Sequence, residues 1–409
     1  MEVVLKFFQG FINMGASTLL PFVIAILGIF FGMKIGRAIK AGLLVGIGFQ
    51  GLVLAVNLLI TSVTPAMQYY KDLGSGYDTL EIGFAALGAA SWTTPFAVLV
   101  IPAIIIANLI LVRLKVTKVL NVDIWNFMHF LVPGALAYAL TKNAVIGFIV
   151  AFACGMAVLF FGLEGTTCTC LCFVAWAYPI CCLLNKIIDK IPGLNKVDVD
   201  MTKIGEKLGI FGDPAVIGIF AGVFLGVITK QSPADIVTMA MGVAAAMVLI
   251  PRMVSIMMEG LSPLGQAASE YAHRKVGEDA DIYIGMDIAL GLGDPACITC
   301  TAIMIPVTVL LVFLVPGMRF FPLSLLAEVC YMTPMVVLSS KGNLVRSLIG
   351  MTLMMYLTLF FANMFIPEAT QMMSVTNVHF AGTVTASHFG WNPGNLIVSF
   401  IHRIMMMIG

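Results

Sequence analysis

Apolar segments long enough to cross a lipid bilayer recur along the whole chain, and this feature limits its fold more than any other. Of the 409 residues, 60% are hydrophobic and 11% are charged, with a mean hydropathy of +1.03. So few polar side chains cannot cover the surface of a protein folded in water. The sequence therefore predicts an all-α polytopic membrane protein. The main apolar runs are 19–33, 97–112, 145–161, 216–228, 304–315 and 348–365.

Charge and motif content exclude several classes of function. The formal net charge is +1, and no basic patch is interleaved with aromatic residues, so nucleic acid is not an expected partner. The chain has no Walker A lysine motif, no Ser-His-Asp order and no HExxH, so an ATPase or a self-contained hydrolase is not expected. The densest group of the nine cysteines, at 168–182, follows no zinc-site spacing, and the C-x-x-C of Cys297 and Cys300 has no charged or His neighbour that would activate a thiolate. We expect no metal and no cofactor.

Matching features about 200 residues apart indicate an internal repeat. The order Thr-Pro, Ile-Pro and Phe-Phe at 64–65, 101–102 and 160–161 returns as Ser-Pro, Ile-Pro and Phe-Phe at 262–263, 305–306 and 360–361. We predict a first repeat at 1–190, a cytoplasmic linker at 191–212 and a second repeat at 213–409. Each repeat would contain about five transmembrane helices.

An odd number of crossings inverts the second repeat relative to the first, an arrangement found in many secondary transporters. With the first interhelical loop in the cytoplasm, most of the 22 basic residues lie inside, as the positive-inside rule requires. Short Pro- or Gly-containing segments near 125–141 and 320–338 are predicted to be re-entrant hairpins. The basic residues placed outside are Lys6, Lys71, Lys230, Arg319, Lys341, Arg346 and Arg403.

Acidic residues beside or within apolar helices are the first candidates for a binding site. The sequence Gly-Asp-Pro-Ala occurs at 212–215 and at 293–296, and Asp followed by Pro is typical of a helix start. For Asp213 two explanations stay open, capping of the following helix and a role in solute binding. Asp294 follows an apolar run, which predicts a carboxylate at membrane depth that binds a polyhydroxylated solute. Asp287 lies two helical turns earlier on the same face, and Glu81 is its approximate counterpart in the first repeat.

Among Asp, Glu, His, Lys and Arg, the two predicted hairpins carry one residue each, His129 and Glu328. Both can hydrogen-bond sugar hydroxyls, and either can polarise a hydroxyl that is later phosphorylated. A structural hydrogen bond is the alternative for His129. No other catalytic residue is assigned to this chain. The polar run from Thr370 to Asn395, with His379 and His388, is interpreted as a solvated loop or as the lining of a cytoplasmic mouth.

These features together resemble a known family. The doubled Gly-Asp-Pro, the Glu-Gly-Leu-Ser-Pro at 259–263 and the Trp-Asn-Pro-Gly-Asn at 391–395 accompany the repeat. In this combination the chain resembles the membrane IIC subunit of a bacterial phosphotransferase system (PTS), galactitol type, in the ascorbate-galactitol superfamily.

The resemblance implies a homodimer in the bacterial inner membrane that takes up a polyol or sugar by an elevator movement. The solute would be phosphorylated by the phosphocysteine of a separate IIB protein, with IIA upstream, because no IIA or IIB domain is expected on this chain. The acidic candidate site argues against anionic ascorbate. A proton- or sodium-coupled symporter and a non-transporting membrane scaffold are the two alternatives.

Overall fold

A computed structural model gives the fold of most of the chain. It describes residues 16–72, 78–91, 93–121, 124–161, 172–193, 213–276, 283–285, 288, 294–376 and 382–408. The described part is mostly helical, as predicted. The proposed linker at 191–212 lies almost wholly outside the described residues.

The helices and strands follow the apolar runs of the sequence. In the first half they are α1 (Ala16–Phe30), α2 (Ile35–Asp72), β1 (Thr79–Glu81), α3 (Gly83–Ser91), α4 (Ala97–Arg113), β2 (Val119–Asn121), α5 (Ile124–Thr141), α6 (Ala144–Phe161) and, after a π-helical turn at Phe173–Ala177, α7 (Tyr178–Ile188). In the second half they are α8 (Pro214–Ile228), α9 (Pro233–Val276), β3 (Tyr283–Gly285), α10 (Pro295–Leu311), α11 (Leu323–Ser339), α12 (Leu344–Met364), α13 (Ile366–Met373), β4 (Thr383–Thr385), α14 (His388–Trp391) and α15 (Pro393–Ile408).

Two long helices, α2 and α9, pack against each other. They contain 38 and 44 residues, which corresponds to about 57 Å and 66 Å of helix. Both exceed the roughly 30 Å of a hydrocarbon core, so their ends extend beyond it. Small residues permit the close packing: a Cβ on Gly48 would lie 2.4 Å from Met257 Cγ, and one on Gly242 would lie 1.7 Å from Ser62 Oγ.

The two segments predicted as hairpins are each one continuous helix, so that prediction is wrong. α5 has 18 residues and α11 has 17, about 27 Å and 25 Å of helix. Proline inside a helix normally leaves the carbonyl four residues earlier without its backbone donor. In α5 that carbonyl, His129 O, accepts a hydrogen bond from Asn392 Nδ2 at 2.6 Å, which replaces the bond that Pro133 cannot make.

Two short parallel strand pairs join distant parts of the chain. β1 pairs with β4 in a register that places Glu81 opposite Thr385, and β2 pairs with β3. Backbone hydrogen bonds extend the first pair, from Thr79 N to Arg319 O at 3.0 Å and from Ile82 N to Thr385 O at 2.9 Å. The strands thus bring the starts of α3, α11 and α14 to one place.

The surface of the helices is strongly apolar. In the part of the chain that the structure describes, α12 is the one helix whose length and composition both suit a membrane crossing, and it is accompanied by shorter apolar helices. Large hydrophobic side chains project outward from several helices, including Ile26 of α1, Ile106 of α4 and Phe313 after α10. An exposed apolar surface of this extent fits contact with lipid.

Candidate functional site

Polar side chains from both halves of the chain meet in the protein interior. Glu81 ends β1, His129 lies in the second turn of α5, Glu328 lies in the second turn of α11, and His388 begins α14. All four are more than nine-tenths buried. Ionisable groups in such a position are costly unless they are hydrogen-bonded, and they often mark a functional site.

Glu81 caps the start of α11. Its Oε2 accepts hydrogen bonds from Ser324 N at 2.7 Å and Leu325 N at 3.3 Å, which are among the first backbone N–H groups of that helix. Its Oε1 accepts a bond from Gly83 N at 3.0 Å. The first N–H groups of a helix have no partners within the helix and carry its positive dipole end, so they stabilise the buried carboxylate.

Glu328 makes the complementary contacts with α3. Its Oε1 accepts a hydrogen bond from Phe84 N at 2.7 Å, in the first turn of that helix. Its Oε2 accepts a bond from Ser387 Oγ, just before α14. One carboxylate therefore links α11, α3 and the segment between β4 and α14.

Gly83 occupies the space between the two carboxylate-bearing elements. Its φ is +72°, in the left-handed region that favours glycine. A Cβ at this position would lie 2.7 Å from Ser324 Cβ and 3.1 Å from Glu328 Oε1. The crossed arrangement therefore requires glycine here for both backbone conformation and space.

Aromatic rings form one wall of the site. The Phe84 ring stacks on the imidazoles of His129 and His388, with centroid distances of 4.7 Å and 4.8 Å. The two imidazoles also stack on each other, and His129 Nδ1 lies 3.1 Å from His388 Nε2. Flat rings beside carboxylates are suited to a ligand with both C–H and hydroxyl surfaces.

Two asparagines surround the imidazole pair. Asn392 Oδ1 accepts hydrogen bonds from Gly394 N and Asn395 N at the start of α15, which directs its Nδ2 toward His129 O and His388 Nε2. Asn395 Nδ2 lies 2.9 Å from His388 Nδ1. The two amides therefore lie against both nitrogens of the His388 ring.

Cys172 completes the cluster on the side of α5. Its Sγ lies 3.1 Å from His129 Nδ1 and 3.8 Å from His388 Nε2. Among the described residues, this cysteine and the two histidines form a group whose donor atoms are close enough to hold a metal ion.

Comparison with known proteins decides the family. Residues 10–384 match the family described as "PTS system sugar-specific permease component". The chain belongs to this family. The permease is 33% identical over 394 residues to the "PTS system galactitol-specific EIIC component" of Escherichia coli (strain K12), across 92% of this chain and 86% of that protein. It is 28% identical over 422 residues to the "Putative permease IIC component" of the same organism, across 98% and 96%.

The family assignment confirms the resemblance to a phosphotransferase IIC subunit that the sequence motifs suggested. It also shows that this chain is a membrane protein. Three of the residues predicted for the site of the permease, Glu81, His129 and Glu328, lie together in the interior. Asp213 and Asp294 are exposed N-caps whose side chains accept bonds from Ala215 N and Ala296 N of their own helices. Asp287 lies outside the described residues.

Sequence reasoning missed several residues of the interior cluster. The interpretation of 370–395 as a solvated loop is wrong where the structure describes it, because His388, Asn392 and Asn395 are fully buried. Their polar character suggested solvent, whereas packing against α5 and α12 covers them. The signal available in the sequence was Asn392 before Pro393, a helix-start pair like the two Asp-Pro pairs. His379 lies outside the described residues.

Proposed function

We propose that this permease takes up a galactitol-like sugar alcohol and presents it for phosphorylation by a separate IIB protein. The buried pair Glu81–Glu328, with the stacked rings of Phe84, His129 and His388 beside it, is the observation that carries this proposal. The name of the 33%-identical relative supports galactitol as the first solute to test.

The chemistry of the cluster suits a neutral polyol. Carboxylate oxygens have several lone pairs, so Glu81 and Glu328 can accept solute O–H groups beyond their present backbone bonds. Ser387 and Asn395 offer polar groups beside them, and Phe84 offers an apolar face. An anionic solute would meet two carboxylates, with no described Lys or Arg bonded to them, and electrostatic repulsion disfavours it. We infer that solute hydroxyls replace some of the present contacts.

The proposed architecture is two inverted repeats of five transmembrane helices. The order of elements supports it, because a short helix, a long helix, a strand and then shorter helices occur in both halves. His129 and Glu328 are each the sixth residue of their helix, counted from Ile124 and Leu323. Pseudosymmetric positions then carry different side chains, as an asymmetric solute requires.

In the proposed elevator movement, α1, α2, α8 and α9 form the scaffold of a homodimer. The contacts of α1 with α2, of α8 with α9 and of α2 with α9 support a separate packing unit. The site elements would move against it and carry the solute across. The phosphoryl group would come from a phosphocysteine of IIB, so this chain would supply binding and positioning only.

A binding experiment tests the site directly. Labelled galactitol binding to the purified protein in detergent is compared for the unmodified chain, Glu328→Gln and the control Asp213→Asn, which alters an exposed cap. We expect Glu328→Gln to weaken binding at least tenfold and Asp213→Asn to leave it unchanged. Asp294→Asn in the same assay tests the predicted role of Asp294, and unchanged affinity would remove it from the site.

A coupled symporter is the second candidate function. Two buried carboxylates beside each other are the observation that favours it, because such groups also carry protons or bind sodium in transporters. This function requires uptake of unmodified solute that depends on an ion gradient. The phosphotransferase function requires phosphorylated product and no gradient.

A further inference from the structure

We propose that His129, Cys172 and His388 form a binding site for Zn²⁺ or a similar thiophilic ion of tetrahedral preference. The three residues come from α5, the residue before the π-helical turn, and α14. All are buried, and their donor atoms lie within 4.8 Å of one another. The proposal rests on this geometry and is independent of which solute the permease carries.

The distances between the donor atoms fit one small ion. Zinc bonds of about 2.0–2.1 Å to nitrogen and about 2.3 Å to sulfur place tetrahedral ligand atoms about 3.3 Å (N to N) and 3.6 Å (N to S) apart. The observed separations are 3.1 Å between the two nitrogens and 3.1 Å and 3.8 Å from Cys172 Sγ to the nitrogens. Shifts of about half an ångström therefore convert the cluster into a coordination triangle.

The surroundings of His388 set the tautomer that a metal ligand needs. Asn392 Oδ1 is held by two backbone N–H groups of α15, so its Nδ2 must donate toward His388 Nε2, 3.0 Å away. That nitrogen therefore presents its lone pair, and the proton of a neutral imidazole lies on Nδ1. A metal ion uses the same lone pair, while Asn392 Nδ2 keeps its bond to His129 O.

Asn395 supplies the outer contact that metal-binding histidines commonly make. Its amide lies 2.9 Å from His388 Nδ1, and among the described residues its fully buried Oδ1 has no hydrogen-bond partner. Rotation of the amide would place that oxygen against the Nδ1–H of His388 and would replace the 3.3 Å hydrogen bond from Nδ2 to His388 O. The carboxamide would then fix the ring orientation and increase the basicity of Nε2.

Three protein ligands leave a fourth tetrahedral position open, for water or a solute hydroxyl. Zn²⁺ bound to one thiolate and two neutral imidazoles has a net charge of +1. Glu328 lies near this cluster, because Phe84 donates its backbone N–H to Glu328 and stacks its ring on His129. The carboxylates would balance this charge. The ion would also tie three chain segments together, so binding should stabilise the folded protein.

Cobalt substitution tests the proposal on the purified full-length chain in detergent. Co²⁺ is added to the chelator-treated protein, and the absorption spectrum is followed with Cys172→Ser as the variant and Cys300→Ser as a matched control at another fully buried cysteine. We expect one Co²⁺ per chain, visible bands typical of tetrahedral cobalt, and a near-ultraviolet thiolate band. Cys172→Ser should lose the thiolate band, and Cys300→Ser should keep it.

A second variant covers the case in which Cys172→Ser does not fold. His388→Gln should keep the thiolate band but weaken Co²⁺ binding at least tenfold. Absence of tetrahedral bands in the unmodified protein, or a thiolate band that survives in Cys172→Ser, would overturn the proposal. Galactitol binding is measured with chelator present, so it reports on the solute site without bound metal. The cobalt spectrum reports on the metal site, and either proposal can therefore fail while the other holds.

Discussion

Glu81 and Glu328 cap each other's helices: Glu81 caps α11, which contains Glu328, and Glu328 caps α3, which begins two residues after Glu81. Glu81 Oε2 accepts from Ser324 N at the start of α11, the helix of Glu328, and Glu328 Oε1 accepts from Phe84 N at the start of α3, directly after Glu81. Both bonds measure 2.7 Å. Two residues from opposite halves of the chain thereby fix the relative position of those halves at the candidate site, so a change at either should affect stability and solute binding together.

Glu81→Gln tests this reciprocal capping. The glutamine side chain has one carbonyl oxygen in place of the two carboxylate oxygens of Glu81. That oxygen can accept from Gly83 N or from the first N–H groups of α11, so the NH₂ group faces the other donors and leaves them without an acceptor. We expect a loss of about 1–3 kcal/mol of unfolding free energy, the usual effect of an unsatisfied buried polar group, and weaker galactitol binding. Thermal unfolding in detergent and the binding assay measure both effects. A variant with wild-type stability and affinity contradicts the role of Glu81.

Gly83→Ala introduces a methyl group between Glu328 and Ser324. We expect loss of solute binding and marked destabilisation, because the methyl group meets Ser324 Cβ and the backbone is left-handed. Gly317→Ala is the matched control, since Gly317 has a φ of +63° with open space around its Cβ. The control should show only the conformational penalty, about 1 kcal/mol. Equal effects of the two substitutions would show that the space at Gly83 does not matter.

Asn392→Ser keeps the capping oxygen of Asn392 and removes its N–H donors to His129 O and His388 Nε2. Serine can still cap α15, but it cannot donate to His129 O, which Pro133 leaves without its helical partner. We expect a loss of about 1–3 kcal/mol. The double variant Pro133→Ala/Asn392→Ser should recover much of it, because the backbone N–H that alanine supplies in place of proline restores the bond inside α5. The double-mutant cycle is measured by unfolding, and strictly additive effects would refute the compensation.

The ion pair of Glu368 and Arg403 fastens α15 to α13. Arg403 Nε and Nη2 donate to the two oxygens of Glu368 at 2.6 Å and 3.0 Å, and the guanidinium lies over the Phe365 ring. Glu368 is buried but the Arg403 side chain is 29% exposed, so Glu368→Gln should cost about 1–3 kcal/mol by weakening these charge-assisted hydrogen bonds. Replacing both residues with Met should lower the free energy of unfolding by less than the single change, because no charge is then left without its partner. Unfolding in denaturant measures both variants. A larger loss in the double variant would contradict this explanation.

The exposed pair of Asp78 and Arg319 should respond to pH. The hydrogen bond from Arg319 lowers the pKa of Asp78 below its usual value. The pair therefore stabilises the fold above the usual pKa of about 3.9 and loses this contribution as pH falls through the lowered pKa. Since both side chains are substantially exposed, the contribution should stay below about 1 kcal/mol. The unfolding free energies of the unmodified protein and Asp78→Asn should differ at pH 6, and the difference should shrink as pH falls below about 3.9. A difference that does not change with pH would contradict this cause.

The sequence allowed prediction of elements whose cause is local. α12 is an example, because the apolar run at 348–365 that predicts it lies almost wholly within the helix. His129 and Glu328 were found because each is the only Asp, Glu, His, Lys or Arg in an apolar segment. The burial of His388 was missed because its partner His129 is 259 residues away. The hairpin prediction failed for a related reason: the group that makes Pro133 tolerable in α5 is Asn392, far along the chain.

The most direct test of the proposed function is uptake of labelled galactitol into vesicles loaded with phosphorylated IIB, with an ionophore control. Phosphotransferase-coupled uptake predicts that the label inside is galactitol phosphate, that ionophore has no effect and that Glu328→Gln abolishes accumulation. Free galactitol that accumulates inside and is lost on adding ionophore would contradict the proposed function and identify a coupled symporter.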